Sequence, residues 1–153
     1  MALGQSLARR AVACQWAERG NALDIADRMK GLAFIQVRAA REAGGGFLDF
    51  SASSLAELDG LISRDVAKEP KDPDMLAEVI GAYVGETLVR RLGANWTEED
   101  GSPVLRLGEI RLDPLRRAYL RVTEGEARSL MVYFDAAAAA KAGRLPAGRL
   151  EDA

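Results

Sequence analysis

Apolar side chains recur at intervals of three and four over most of this chain and change to an interval of two only between residues 95 and 112. The longest three-and-four run, 75–96 (MLAEVIGAYVGETLVRRLGANW), predicts a central helix over about 73–92. Its ends agree with its interior. Asp72 takes the N-cap, Pro73 the first helical position, where its missing N–H is harmless, and Asp74 the positive end of the helix dipole. Arg90 and Arg91 occupy the last turn and Gly93 closes it. Leu76, Val79, Ile80, Tyr83 and Thr87 form one stripe, while Leu88 and Leu92 fall on the side that carries Gly81 and Gly85. Apolar character on both sides predicts a helix packed on both sides.

The remaining elements follow from the same periods. Leu3, Leu7, Ala11 and Cys14 line one face of an amphipathic helix over 3–19, with Gly20 and Asn21 as its stop. A second helix over 22–42 turns Ile25, Ala26, Met29, Leu32, Ala33 and Gln36 or Val37 inward, and Gly44, Gly45 and Gly46 end it. Residues 47–50 read as a short strand or an extended lead-in. Ser54-Leu55-Ala56-Glu57 fits a capping box and starts a helix whose buried stripe is Leu55, Leu58, Leu61 and Ile62; a start at Ser51 would lengthen it by a turn. Residues 65–71 read as an exposed loop.

Three short strands, 95–98, 104–107 and 109–112, are joined by Asp100-Gly101 and Gly108, with Leu105 and Leu107 on one face, as are Ile110 and Leu112. Asp113-Pro114 then starts a helix carrying Leu115, Ala118, Tyr119 and Val122. A last helix over 126–142 uses Ala127, Leu130, Met131, Phe134, Ala137 and Ala138, and its alanine run either packs very closely or lies outside the core. The fold class is therefore α+β: about five helices packed on one side of a small antiparallel β-meander. Residues 1–143 form one domain and 144–153, which lack periodicity, a mobile C-terminal tail.

Composition narrows the chemistry. The chain has 153 residues, 48% hydrophobic and 29% charged, a profile of one soluble domain able to bury a core without staples. It contains no histidine, which removes Ser/His and Cys/His nucleophilic catalysis and the usual zinc sites. Cys14 is the single cysteine, so no intrachain disulfide forms, and its apolar neighbours predict an inert buried thiol. The net charge of −2 supplies no field toward nucleic acid. No run reaches the ~20 apolar residues of a membrane span, and Arg9, Arg10, Glu18 and Arg19 interrupt any signal-peptide core. A cytoplasmic location without membrane attachment is the expectation. The glycines at 44–46 follow a helix rather than a strand, so the dinucleotide-binding context fails and no cofactor or metal is expected.

Several side chains remain as candidates. Glu86 lies at the margin of the central stripe, where partial desolvation would suit a general base or ligand anchor, and where pairing with Arg90 at i+4 would suit a surface helix. Tyr83 and Trp96 are its aromatic neighbours, Trp96 being either an exposed anchor for a partner or a core corner. A carboxylate pair could be made from Glu86 with Asp49 or Asp59. Arg111, Arg116, Arg117 and Arg121 are the densest basic group; they could receive a phosphate or an acidic partner, or form a solvated face balanced by Glu109, Asp113, Glu124 and Glu126. Without interleaved aromatics the solvated face is favoured over nucleic-acid binding. Gly81 and Gly85 permit a close approach, either within the chain or across a dimer seam.

The signature Gly81-Ala82-Tyr83-Val84-Gly85-Glu86 followed by Leu92-Gly93-Ala94-Asn95-Trp96, with Leu55, Leu58 and Asp59 upstream and Leu112 and Pro114 downstream, resembles small bacterial domain families of unknown function bearing a G-x-Y-x-G-E motif and a following Trp. The resemblance covers about the middle two-thirds of the chain and brings no assigned activity, substrate or catalytic residue. Some such domains travel with interbacterial toxin and immunity systems, which implies an inhibitor-like role by analogy. The expected function is a non-catalytic protein-interaction or regulatory domain, with another protein or a second copy as partner. The alternative is a small-ligand-binding or hydrolytic site around Glu86, Tyr83 and Trp96.

Overall fold

A computed structural model describes residues 24–66 and 69–150. The helix expected over 3–19, its stop and Cys14 lie outside the described residues, as does part of the 65–71 loop. Within them the chain runs α1 (Ile25–Glu42), α2 (Ala52–Asp65), α3 (Pro73–Leu92), β1 (Asn95–Glu99), β2 (Ser102–Leu107), β3 (Ile110–Leu112), α4 (Pro114–Glu124) and α5 (Leu130–Lys141), with 3-10 turns at Glu126–Arg128 and Ala147–Arg149. It is an α+β fold of five described helices and a three-stranded antiparallel sheet in the order β1-β2-β3. No described helix is long and apolar enough to cross a membrane.

Helix α3 is the axis of the molecule. All nine residues from Ile80 to Leu88 are buried, including both glycines, Glu86 and Thr87. Asp72 accepts a bond from the Met75 amide at 3.0 Å, and Gly93 closes the helix in the left-handed region at φ 78°. The two glycines serve contacts inside the chain. A Cβ on Gly81 would stand 2.7 Å from Leu115 Cα, and one on Gly85 would collide with the Trp96 indole. Both approaches are therefore filled by α4 and β1 of the same molecule, which leaves no seam there for a second copy.

Helix α1 buries Met29, Ala33 and Ala40 against α3 and ends where Gly44 turns at φ 71°. Residues 47–50 pair in no sheet, and Leu48 and Phe50 are buried, Phe50 with a left-handed φ of 60°. Helix α2 begins one turn earlier than the capping box suggests. Ser51 is its N-cap, because Ser51 Oγ accepts the Ser54 amide at 3.1 Å while the Ser54 hydroxyl is engaged elsewhere, donating to Ser51 O at 2.7 Å.

The meander sets Leu105 opposite Leu112 and Leu107 opposite Ile110, pairing the residues expected to share a face on each strand. Asp100 and Gly101 both take positive φ, as a two-residue hairpin turn requires. Two helices differ from their sequence reading. In α4 the buried face is Pro114, Arg117, Ala118, Arg121 and Val122, and Tyr119 is 39% exposed. The last helix starts at Leu130 with Ser129 as N-cap, since residues 126–128 form a 3-10 turn that leaves Ala127 exposed. Its inward side is Leu130, Tyr133, Phe134, Ala136, Ala137 and Ala140, so the alanine run packs closely in the core. Beyond Gly143, where a mobile tail is expected, Leu145 packs against the core and Leu150 is 2% exposed.

Candidate functional site

Most of the nominated residues fall into two polar assemblies, and an exposed apolar surface stands apart from them. In the first, the buried hydroxyl of Tyr83 accepts the Phe50 amide at 2.9 Å and lies 2.6 Å from Ser54 Oγ. Because the Ser54 proton goes to Ser51 O, the Tyr83 hydroxyl donates to Ser54, and a continuous chain runs from the Phe50 amide to the α2 cap. Burial raises the Tyr83 hydroxyl above its ordinary value, opposed by the Ser54 and Phe50 hydrogen bonds. Phe50 holds a left-handed φ of 60°, uncommon for a bulky residue. It is fixed there by stacking on Tyr83 at 4.8 Å, by Arg91 Nε donating to its carbonyl at 2.8 Å, and by the Arg90 guanidinium over its ring at 3.9 Å.

Glu86 belongs to the same assembly. It is 6% exposed and accepts Arg90 Nε at 3.0 Å, which is the i+4 pairing the sequence offers. Its carboxylate thus holds Arg90 against Phe50 and Phe34. Trp96 is half-buried with its ring on Gly85, and its buried Nε1 has no hydrogen-bond partner. Packing rather than hydrogen bonding therefore positions the indole, as in the core-corner reading.

The second assembly corrects the reading of the basic group. Arg117 and Arg121 are each 3% exposed, and the solvated-face reading holds only for the exposed Arg116 and Arg111. Arg117 donates to Arg128 O at 3.1 Å and Ser129 O at 3.0 Å and lies over the Tyr133 ring. Arg121 Nε meets Asp59 Oδ1 at 2.8 Å, and its Nη2 donates to Asp59 O at 2.9 Å and Ser63 Oγ at 2.6 Å. Asp59 also accepts Leu130 N at 3.0 Å, Met131 N at 3.1 Å and Ser129 Oγ at 2.8 Å. It therefore caps the first turn of α5 from α2, where a carboxylate is favoured by the free amides and the helix dipole. Arg121 is buried and the Asp59 side chain is 15% exposed, and each spends its hydrogen-bonding groups on the other and on α2 and α5.

A cleft of about 660 Å³ is lined by Asp59 and Arg121 of this clamp together with Glu57, Arg64, Glu126 and Ser129 among others. Tyr83, Glu86 and Trp96 line neither this cleft nor the smaller one beside it. Among the described residues no group of three metal-ligating side chains converges. Asp49 is exposed between the buried Leu48 and Phe50, its carboxyl held below the ordinary value by hydrogen bonds from Ser51.

The third feature is a surface the sequence reading passed over. Phe34, Ile35 and Phe47 are 48%, 55% and 72% exposed, the first two on α1 and the third just after it. The Arg41 guanidinium lies 5.4 Å from the centre of the Phe47 ring and that of Arg90 5.7 Å from the centre of the Phe34 ring. A signal was present in the spacing of Phe34 and Ile35 away from the Met29, Ala33 and Ala40 stripe. Comparison with protein-family models, with curated proteins and with solved structures returns no match. Function has to be read from these side chains.

Proposed function

We propose that the chain is a non-catalytic protein-interaction or regulatory domain that engages its partner through the outer face of α1. The observation that carries this reading is the exposure of Phe34, Ile35 and Phe47, with an arginine guanidinium over each of the two aromatic rings. Aromatic residues and arginine are the side chains enriched where binding energy concentrates. The groups nominated for chemistry are meanwhile engaged in holding the fold: Glu86 by Arg90, Asp59 by Arg121 and two amides, Tyr83 by Phe50 and Ser54. The G-x-Y-x-G-E signature supports a bacterial setting, and by the same analogy an inhibitor or immunity-like role; the single cysteine accords with the reducing cytoplasm.

The test starts from the full chain with a photo-cross-linking residue in place of Ile35. A discrete adduct is expected, absent when the probe replaces Glu109. The captured protein, purified, is expected to bind the Ile35→Glu variant about tenfold or more weakly than wild type at unchanged melting temperature. Equal binding by both, or equal adducts from position 109, overturns the reading.

A further inference from the structure

The outer stripe of α1 consists of Asp24, Asp27, Gly31, Phe34, Arg38 and Arg41, all six exposed. The steps between them are three, four, three, four, three, which is the spacing of a coiled-coil seam, and it lies on the side away from Met29, Ala33 and Ala40. This spacing is the same read in either direction. The chemistry reads with it: two acids at one end, two arginines at the other, and a glycine beside an aromatic ring in the centre.

When a second α1 lies antiparallel across the first, residues whose numbers share a fixed sum face one another. With the two-fold axis between positions 31 and 34, Asp24 faces Arg41 of the other copy, Asp27 faces its Arg38, and Gly31 faces its Phe34. Every layer is then complementary, and each occurs twice, as an isologous two-fold interface demands. The exposed part of each Phe34 ring, which packs edge-on against Phe50 of its own chain, seats over the bare backbone of Gly31, and four opposite-charge contacts flank the pair.

Three further observations favour this occupant. Gly31 has nothing within 4 Å of where its Cβ would be, so no neighbour in the chain requires a glycine there, although a mid-helix glycine costs about 1 kcal/mol against alanine. Gly81 shows what such a glycine does when occupied, since Leu115 backbone fills its place. Among the described residues the charges of the stripe are held only by exposed contacts, Arg41 lying over the exposed Phe47 ring. Asp24 is the N-cap residue but makes no side-chain cap bond, and Arg38 is held only by Glu42 in an ion pair whose side chains are 82% and 66% exposed. Finally, the stripe carries equal numbers of acids and bases segregated to opposite ends. A partner of single sign would meet repulsion at one end; a reversed copy of the same stripe meets none.

We infer that α1 is an antiparallel homodimerisation seam, in which a second copy of this chain covers Gly31 and Phe34 and pairs Asp24 and Asp27 with Arg41 and Arg38. This rests on the reading of α1 as a contact face and names the partner. The small apolar centre makes the dimer weak and concentration-dependent.

Charge exchange in the full chain tests it by sedimentation velocity. One variant combines Asp24→Arg with Asp27→Arg, the other Arg38→Asp with Arg41→Asp. Wild type is expected to move from monomer to dimer with rising concentration, and each variant alone to stay monomeric because every outer layer carries like charges. An equimolar mixture is expected to form heterodimers, all layers again being opposite. Gly31→Leu, in open space and with better helix propensity, is expected to abolish dimerisation without lowering the melting temperature, which separates the seam from the fold. A wild type monomeric at every concentration, dimerisation by either charge variant alone, or a mixture that stays monomeric overturns the proposal. In that event a heterologous adduct from position 35 leaves the interaction reading standing with another partner; loss of both removes the face altogether.

Discussion

Tyr83 and Arg121 have contrasting means of holding buried polarity. The Tyr83 hydroxyl accepts the buried Phe50 amide at 2.9 Å, so Tyr83→Phe leaves that N–H without this acceptor. We expect a loss of about 2 kcal/mol in urea unfolding, with no change in the slope against denaturant. Arg121 neutralises a carboxylate that has three other donors. Arg121→Met leaves Asp59 with the α5 amides and Ser129, and the expected loss is about 3 kcal/mol, at the low end for breaking a buried pair. A measured loss below that of an exposed pair such as Arg38 and Glu42 would contradict the assignment of Arg121 as a buried clamp.

Elements differ in how they use glycine, and the difference is measurable. Gly81 and Gly85 sit where a side chain would strike Leu115 backbone and the Trp96 ring, so Gly81→Ala and Gly85→Ala are expected to lower the melting temperature. Gly31 and Gly60 have open space, and alanine at either is expected to raise stability by about 1 kcal/mol through helix propensity alone. Thermal unfolding of the four variants checks all of them together. The same contrast shows what the sequence made legible. Period, caps and turn glycines were enough for α3, for the meander and for both proline starts, because each of these signals is local. The buried face of α4 was not legible, because an arginine at an inward position looks like a solvated one until Asp59, 62 residues away, is seen to meet it. Ser54 misled for a related reason: its hydroxyl is claimed by Tyr83 from another helix, which hands the cap to Ser51. Of the candidate site, the pairing of Glu86 with Arg90 was legible as a fixed helical spacing. The exposed stripe of α1 was visible as a spacing, but its exposure depends on which face the rest of the molecule covers.

At the scale of the whole molecule, titration bounds stability on two sides. Hydrogen bonds from Arg111 and Arg106 hold Glu99 below its ordinary value of 4.5, and those from Ser51 hold Asp49 below 3.8. Their contributions are present above those values and vanish as pH falls through the lower folded ones. Glu99→Gln should therefore lower the melting temperature at neutral pH, and the difference from wild type should close in acid. Tyr83 acts in the opposite sense. Burial raises its hydroxyl above 10.0, so its contribution is complete below that value and declines as pH rises past it. A melting curve taken across the pH range should show a plateau between these limits, with the alkaline decline reduced in Tyr83→Phe.

The carboxylate that closes the first turn of α5 also has a consequence in time. Asp59 stands 70 to 72 residues before the donors it receives from α5, so the Leu130 and Met131 amides lack this acceptor until α2 has docked, whereas the Val132 amide has Ser129 Oγ close by in sequence. Contacts so far apart in sequence must overcome loop-closure entropy before they contribute, and they form late. Weakening the clamp is then expected to leave the folding rate of Asp59→Asn near that of wild type while unfolding accelerates, a separation read from the two limbs of a chevron plot. Amides in the first turn of α5 should exchange with solvent only when α2 separates from it, so the two helices open as one cooperative unit.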